Sequence, residues 1–256
     1  MPIELEEELV EGTRKSMNVI QANCRVQFTP ADIDFILSAL DPGRRIPDGI
    51  LKLLADPETR DLLLDDRHLY DAVVDGLDCL RISNHFYFYI LVRHVLRRNG
   101  VDDRRMADYV AELLAQFSST DRDRHPVASD PRPMDYLVDM LSEIPHADEH
   151  TRFLLRAHVG NHSLFLSGLF LGHIQFRTQI KAAPSVEYYE SLGSANFKVA
   201  SCHPLAEKYN LVNVFLSLAE CFHSIRLALN KLADELLFLE PGFALQSLPA
   251  RVIKEA

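Results

Sequence analysis

The sequence lacks tryptophan and has little glycine. It contains no Trp, 10 Gly and 14 Phe in 256 residues. Turn-rich β-sheet domains place glycine at many of their turns, so this composition favours packed helices. No segment shows the alternation of apolar and polar residues, or the Val, Ile and Thr clusters, that indicate strands. The sequence therefore predicts an all-α fold.

An excess of basic residues is also lacking. The chain has 27 Lys and Arg against 37 Asp and Glu, which gives a formal net charge of −10 at pH 7. Nucleic acids are bound through basic surfaces, so we expect no nucleic-acid partner. Local basic clusters occur at Arg93, Arg97 and Arg98 and at the pair Arg104 and Arg105, with two aspartates between the clusters. This pattern is typical of solvent-exposed helix ends.

Cysteines and long apolar runs are scarce. The 4 cysteines are scattered without a Cys-x-x-Cys pair, which argues against a disulfide framework and favours a reducing compartment. The acidic residues 1–8 do not resemble the basic start of a secretory signal. The longest uncharged apolar run, from Ser163 to Gly172, is about half the roughly 20 residues of a membrane span. We expect a cytoplasmic protein with no membrane span.

The most regular pattern that is present lies near the C-terminus. Apolar residues alternate spacings of four and three at Leu211, Phe215, Leu218, Phe222, Ile225, Leu229, Leu232 and Leu236. This heptad pattern predicts a helix, and the mostly apolar flanking positions indicate burial on most of its circumference. Pro204 opens the element and Pro241-Gly242 follows it, so we predict a long C-terminal core helix over about 204–239.

The rest of the chain predicts a multi-helix bundle. Short helical patterns separated by Pro- and Gly-containing segments suggest a smaller N-terminal helical lobe over residues 1–63. Residues 64–256 are then the main helical bundle. Prolines among charged residues predict a loop within this bundle at about 118–133.

Two central helices are the predicted neighbours of the C-terminal helix. One runs from Ser83 to Arg98, where Asn99-Gly100 provides a stop. The other covers Glu149 to about Ile180, either as one helix or as two with a bend near Gly168. Gly168 and Gly172 are four residues apart, so we expect that another backbone can approach this helix closely.

Several polar side chains fall on these two apolar helices or next to them. They are Arg81, Asn84, His85, Tyr87 and His94 in the first region, and Arg156, His158, Asn161 and His162 in the second. An unpaired polar group in a core costs about 1–3 kcal/mol, so these groups are expected to have partners. They form either a buried polar network or the lining of a ligand pocket. His158 and His162 are four residues apart, a spacing that can chelate one transition metal ion.

Other chemical motifs are incomplete. The segment from His146 to His150 matches the His-x-x-Glu-His spacing of inverted zinc peptidases, but Pro145 places it at the start of a helix. Glu220 and His223 have the Glu-x-x-His spacing of di-iron bundles, but the heptad register directs both away from the apolar seam. The sequence contains no phosphate-binding loop, dinucleotide-binding glycine motif or nucleophile elbow.

These features favour a non-enzymatic helical interaction protein, a scaffold, adaptor or regulator that acts through protein–protein contacts. Its partner is then another protein or a second copy of the same chain, and no cofactor is expected. The alternative is a helical bundle with a buried His- and Asn-lined pocket that binds one transition metal ion or a small ligand. Under this alternative the protein can be an enzyme. Replacing both His158 and His162 by alanine distinguishes the two hypotheses, because only the second predicts a loss of ligand binding.

Overall fold

The computed structural model describes residues 19–40, 56–75, 82–123, 133–181 and 183–239. Within these stretches every regular element is helical and no strand occurs, which confirms the predicted all-α multi-helix bundle. A short 3₁₀ helix, Cys24–Gln27, comes first. The α-helices that follow are α1 (Pro30–Leu40), α2 (Pro57–Leu64), α3 (Arg67–Val74), α4 (Asn84–Arg98), α5 (Arg104–Asp123), α6 (Pro133–Glu143), α7 (Glu149–Leu169), α8 (Leu171–Lys181), α9 (Val186–Ser201), α10 (Pro204–Lys208), α11 (Val212–Glu220) and α12 (Phe222–Leu239).

Helix α12 packs against both α4 and α7. Helix α9 covers α7 and α11, and α5 packs along α4. The two predicted neighbours of the C-terminal helix are therefore its neighbours in the structure. All eight apolar residues of the heptad pattern are buried, from Leu211 to Leu236. Their burial is the main apolar contribution of this part of the chain to the core.

The predicted single helix over 204–239 is wrong, because the segment forms three helices. Helix α10 ends at Lys208; Asn210, two residues later, has a left-handed φ of 55°, and the Leu211 N–H donates to the Ala206 carbonyl at 2.7 Å. This is the hydrogen-bonding pattern that ends many helices. A second break at Cys221 bends α11 and α12 by 77°. No single helix among the described residues is long and apolar enough to cross a membrane, and α11 with α12 reaches that length only as a bent pair.

A close contact between helices accompanies the bend. Phe222, the first residue of α12, is 2% exposed and packs on Gly193 of α9. A Cβ atom at Gly193 would lie only 2.4 Å from the Phe222 ring. Helix α11 packs on α9 and α5, whereas α12 packs on α7 and α4. The heptad spacing thus identifies which residues are buried, but it does not determine whether the helix axis remains straight.

Of the two alternatives for residues 149–180, the pair of helices is observed, as α7 and α8. A Cβ atom at Gly168 would lie 2.8 Å from the Leu229 side chain, so the absence of a side chain there permits close packing with α12. Gly172 has nothing within 4 Å of its Cβ position and plays no such role. The Asn230 amide donates to the Gly168 carbonyl at 2.7 Å and satisfies a group at the end of α7.

The predicted loop at 118–133 is too long. Helix α5 continues to Asp123 and α6 begins at Pro133, so only residues 124–132 lie outside the described helices. The residues after Ser118 are polar but include no proline or glycine before Pro126, so nothing stops the helix there. Proline at the first position of α6 is compatible with helix initiation, because that position needs no N–H donor.

The described part of the N-terminal region packs on the main bundle. Cys24 and Ile36 are completely buried in the same apolar core as α4 and α5. Asp32 is also completely buried and accepts hydrogen bonds from the Ser83 N–H and hydroxyl, both at 2.7 Å, which joins α1 to the start of α4. Residue 63 lies within α2. The division into a lobe of residues 1–63 and a bundle of residues 64–256 stays a prediction.

Candidate functional site

The structure distributes the predicted polar residues over separate places. Arg81 lies outside the described residues. Asn84, His85, Tyr87 and His94 are on α4, and Arg156, His158, Asn161 and His162 are on α7. Both helices pack on α12, and neither has the other as its main neighbour. The contacts described below place the histidines in three different environments, so a single pocket shared by all of them is not the observed arrangement.

The first environment is the start of α4. His85 Nε2 lies 3.4 Å from Glu112 Oε2, and the Glu112 carboxylate also accepts a hydrogen bond from the Gln27 amide at 2.6 Å. The buried Cys24 thiol donates to the His85 carbonyl at 3.2 Å. Burial, and then the nearby Glu112 charge, raises the pKa of Cys24, so the thiol stays protonated and is a poor nucleophile. Asn84 is half-buried in the same turn.

The second environment is the middle of α4. His94 is buried, its Nε2 lies 3.3 Å from the Leu64 carbonyl oxygen, and its ring stacks on Tyr70 with 4.9 Å between the ring centroids. Burial lowers the pKa of His94. Tyr87 lies edge-on to Phe88, with ring centroids 5.4 Å apart. These contacts place both side chains among packed aromatic rings.

The third environment contains the two candidate metal ligands on α7. The rings of His158 and His162 stack with 6.0 Å between centroids, and each lies 5.9 Å from the Phe117 ring of α5. Burial lowers the pKa of His158 to about 4, and burial together with His158 lowers that of His162 to about 3. Both imidazoles are therefore neutral at pH 7, the state that binds metal ions. The described residues contain no group of three His, Cys, Asp or Glu side chains suited to a metal ion.

Two further predicted residues on α7 bind polar partners that lie on other helices. Asn161 is buried, and its side-chain oxygen accepts a hydrogen bond from the Tyr109 hydroxyl at 2.8 Å. Arg156 donates to the Asn196 side-chain oxygen at 3.2 Å. Burial raises the pKa of Tyr109, so this phenol is a hydrogen-bond donor and not a phenolate at neutral pH. The partners come from α5 and α9 and were not among the predicted set.

A group of ion pairs around the buried Arg93 joins the N-terminal helices, and the sequence analysis missed it. Arg93 is 1% exposed and donates to Asp65 at 2.7 Å and to Asp102 at 2.6 Å. The prediction that this arginine lies at a solvated helix end is therefore wrong. Although burial acts to raise it, the pKa of Asp65 is lowered by hydrogen bonds and by the charge of Arg93. Arg104 also reaches Asp65, at 2.8 Å.

A related pair lies between the 3₁₀ helix and α5. Arg25 binds both carboxylate oxygens of Asp108, with Nη2 to Oδ2 at 2.8 Å, and also pairs with Asp61. Burial raises the pKa of Asp108, acting against the hydrogen bonds and charge of Arg25. The carboxylates of both groups are occupied by arginines, which is the arrangement expected of structural ion pairs.

Four of the exposed large apolar side chains of the described residues lie elsewhere, on α8 and α9. Phe176 and Ile180 of α8 are 46% and 63% exposed, and Tyr188 and Val199 of α9 are 44% and 48% exposed. We refer to these four side chains as the α8–α9 surface. The two helices contact each other, and the Thr178 hydroxyl of α8 donates to the carbonyl of Pro184, in the connection between them, at 3.0 Å. Other exposed large apolar residues are distributed singly over the 3₁₀ helix, α2, α6 and α12, and single exposures are ordinary.

The α8 side of this surface has no acidic residue near it in sequence, whereas Tyr188 on α9 directly follows the exposed Glu187. No Asp or Glu occurs between Glu149 and Glu187, although the chain as a whole is acidic. The neighbours Gln175 and Gln179 on the outer side of α8 are exposed and uncharged. Arg177 has its Nε buried without a hydrogen-bond partner and makes no ion pair among the described residues. A search along the sequence for segments free of acidic residues could have identified this region.

No protein-family model, curated protein or solved structure matches this chain.

Proposed function

We propose that this protein is a non-enzymatic helical interaction protein that binds another protein segment through the α8–α9 surface. One observation carries the proposal: four large apolar side chains, each about half exposed, are concentrated on two contacting helices. Exposed apolar groups of this kind mark interaction sites when they occur together. Aromatic side chains such as Phe176 and Tyr188 are also the types that contribute most at protein interfaces.

The small size of the α8–α9 surface limits the binding free energy that it can contribute alone. Complete burial of a large apolar side chain contributes about 1.5–3 kcal/mol, and about half of each of these four side chains is still available for burial. Together they offer roughly 3–6 kcal/mol before the cost of association. Stable complexes bury about 800 Å² on each partner, so these side chains are expected to anchor a somewhat larger interface.

Photo-crosslinking in a cell lysate tests the proposal. We would replace Ile180 by the photoreactive residue p-benzoylphenylalanine in the full chain and irradiate after adding the lysate. The expected result is a discrete adduct with a partner protein at this position and at Val199. Val138, which is 58% exposed on α6, provides a matched control that should give no discrete adduct.

A polar variant makes the result specific to the apolar contact. Phe176→Ser combined with the crosslinker at Ile180 should reduce the adduct several-fold, because it removes part of the anchor and leaves the helix intact. Circular dichroism and a thermal melt would confirm that the variant is folded. Equal labelling at Val138 and Ile180, or no loss of the adduct with Phe176→Ser, would contradict the proposal.

A second candidate function rests on the two histidines of α7. His158 and His162 are adjacent imidazoles that burial keeps neutral, and the Phe117 ring lies against both. Neutral imidazoles of this kind can ligate a transition metal ion or contact a flat organic ligand. The described residues provide these two ligands, so a metal ion would also need a ligand from outside them or from solvent.

Elemental analysis of untagged protein, purified without chelators, tests this second function. Near-stoichiometric zinc, iron or manganese in the wild type, and its absence from the variant with alanine at both His158 and His162, would support a metal centre. A metal-free wild type whose melting temperature falls on double substitution would assign the pair to the packed core. His94→Ala is a control on another helix, which should leave any metal content unchanged.

A further inference from the structure

We propose that the α9 part of the α8–α9 surface binds α9 of a second copy of this chain, with the two helices antiparallel. This inference rests on the proposed function, because it names the partner of the proposed interaction surface. It starts from the outer side of α9, where exposed residues without charge follow one another along the helix. We refer to them as the α9 stripe, which consists of Tyr188, Ser191, Ala195, Val199 and, directly after the helix, Cys202.

The α9 stripe is continuous along one side of the helix. At about 100° of rotation per residue, all of its members fall within an arc of about 80°. Tyr188 and Val199 are 44% and 48% exposed and lie towards its two ends. Ser191 and Ala195 lie between them and are small, so the backbone of another helix can approach closely there. The stripe therefore has the form of one half of a helix–helix contact.

Two charged residues lie along the same edge of the stripe, near its opposite ends. Glu187 and Lys198 are both exposed, and they are eleven residues apart, which is about 16 Å along the helix axis. They are therefore too far apart to pair within one chain. When two antiparallel helices are related by a two-fold axis, the same edge of each helix meets across the contact, and the start of one faces the end of the other. Glu187 of each copy then faces Lys198 of the other copy.

The apolar contacts require the same register as these two ion pairs. Pairing residue 187 with residue 198 places the two-fold axis near residue 193, so Ser191 faces Ala195 of the second copy. In this register Tyr188 lies against Val199 of the second copy, and the symmetry repeats this contact at the other end. Each end thus buries an aromatic ring against an aliphatic side chain. The stripe is self-complementary in both shape and charge, which favours a second copy over an unrelated partner.

The other charged groups of this part of α9 are compatible with the contact. Glu190 lies on a different side of the helix, where Arg226 and His223 bind it. Hydrogen bonding from Ser185 lowers the pKa of Glu187, so this carboxyl group is ionised at neutral pH and available to a lysine. Exposed ion pairs of this kind mainly determine which partner binds and in which orientation, whereas apolar contacts contribute more of the affinity.

The size of the contact predicts a weak dimer. The α9 stripe extends over about 21 Å of helix. Stable complexes bury about 800 Å² on each partner, and one pair of helices of this length covers only part of that area. We therefore expect the two copies to associate and separate rapidly, with Phe176 and Ile180 of α8 as additional contacts. A covalent trap is a suitable assay for such a complex.

Crosslinking of the purified full chain, without lysate, tests the inference. The chain with p-benzoylphenylalanine at Val199 is mixed with isotopically labelled wild-type chain and irradiated at low salt and at the highest concentration that stays in solution. The expected product has twice the mass of one chain. Trypsin digestion should show the unlabelled peptide 199–208 joined to the labelled peptide 182–198, which contains Tyr188. The same photoreactive residue at Val138 should give no such product.

Reversal of the flanking charges tests the register. Glu187→Lys in both chains places lysines opposite each other at each end of the contact, so the yield of the crosslink should fall several-fold. Lys198→Glu alone should have the same effect, because it places two glutamates opposite each other. The variant that combines Glu187→Lys with Lys198→Glu restores opposite charges and should restore the yield. Circular dichroism and a thermal melt would confirm that all three variants are folded.

The possible outcomes separate this inference from the proposed function. Failure to capture peptide 182–198 of the labelled chain, or a double variant that crosslinks as weakly as Glu187→Lys, would overturn the inference. An adduct at Val199 that forms only after lysate is added would also overturn it, but would support the proposed function with a different protein as the partner. The absence of any adduct, with or without lysate, would contradict both.

Discussion

Gly193→Ala is the sharpest test of how α9 fits against the bend between α11 and α12. An added Cβ atom would lie 2.4 Å and 2.5 Å from two atoms of the Phe222 ring and 3.0 Å from the Ser163 Cβ. Ordinary contacts between such atoms lie at about 3.5–4.0 Å. Phe222 is only 2% exposed, so its ring has little room to move away. The substitution must therefore displace α9, α12 or both.

The expected size follows from two opposing effects. Alanine is favoured over glycine in a helix interior by about 1 kcal/mol. Overpacking of a tight core typically costs about 1–3 kcal/mol, and the short contacts around Gly193 place it at the upper end of this range. We expect a net loss of about 2 kcal/mol in the free energy of unfolding, and a decrease in melting temperature of about 4–8 °C.

Urea denaturation and a thermal melt measure this loss, with Gly172→Ala as the matched control. Gly172 has open space at its Cβ position, so its substitution should leave stability unchanged or raise it by up to about 1 kcal/mol. Adding Phe222→Leu to Gly193→Ala should recover part of the loss, as a coupling energy of about 1 kcal/mol or more in a double-mutant cycle. Wild-type stability of Gly193→Ala, or additive effects in the cycle, would refute the proposed steric conflict.

Three further substitutions test other parts of the structure. Arg93→Met should cost about 1.5–3 kcal/mol in urea denaturation, because it removes the charged hydrogen bonds of Arg93 to Asp65 while Arg104 still pairs with that carboxylate, and a loss below about 1 kcal/mol would contradict this role. Asn210→Gly should raise the free energy of unfolding by about 1 kcal/mol, because glycine adopts the left-handed conformation without steric cost, and a loss of stability would contradict this assignment. The pKa values of His158 and His162 lie below that of an ordinary histidine, about 6.5, so the unfolded chain takes up these protons first as the pH falls. Their contribution to stability is therefore complete above about pH 6.5 and decreases towards pH 4, by about 2 kcal/mol for each histidine at about pH 5. His162→Gln should reduce the difference between urea midpoints measured at pH 7 and pH 5, and an unchanged difference would show that His162 is not the titrating group.

The apolar pattern of the sequence predicted the fold class and the buried face of the C-terminal segment. It could not predict the bend at Cys221, because that bend accompanies the contact of Phe222 with Gly193, a residue on another helix. Periodicity reports which side of a helix is apolar, and it contains no information about the shape of the surface that the helix meets. For the same reason it could not show that Gly168 is closely packed whereas Gly172 is open.

The polar residues were harder to place, because a sequence does not show which helix supplies their partners. Asn161 was predicted to belong to a polar cluster, but its partner Tyr109 is on α5, outside the two helices on which that cluster was predicted. The basic cluster around Arg93 has the same sequence pattern as a cluster at a solvated helix end. Only the structure shows that Arg93 is buried and that Asp65 and Asp102 bind it. Whether the predicted cluster binds a ligand stays a prediction.

The packing of α12 on both α4 and α7 has a consequence for the synthesis of the protein. Tyr70 donates a hydrogen bond to Glu235, which is 165 residues further along the chain, and Asn99 accepts one from Lys231. At about 5–20 residues per second, α12 leaves the ribosome roughly 10–30 s after α4. Until α12 is made, the apolar sides of α4 and α7 that later contact it are not yet buried by it. A nascent chain that lacks α12 therefore presents both surfaces to chaperones or to other nascent chains.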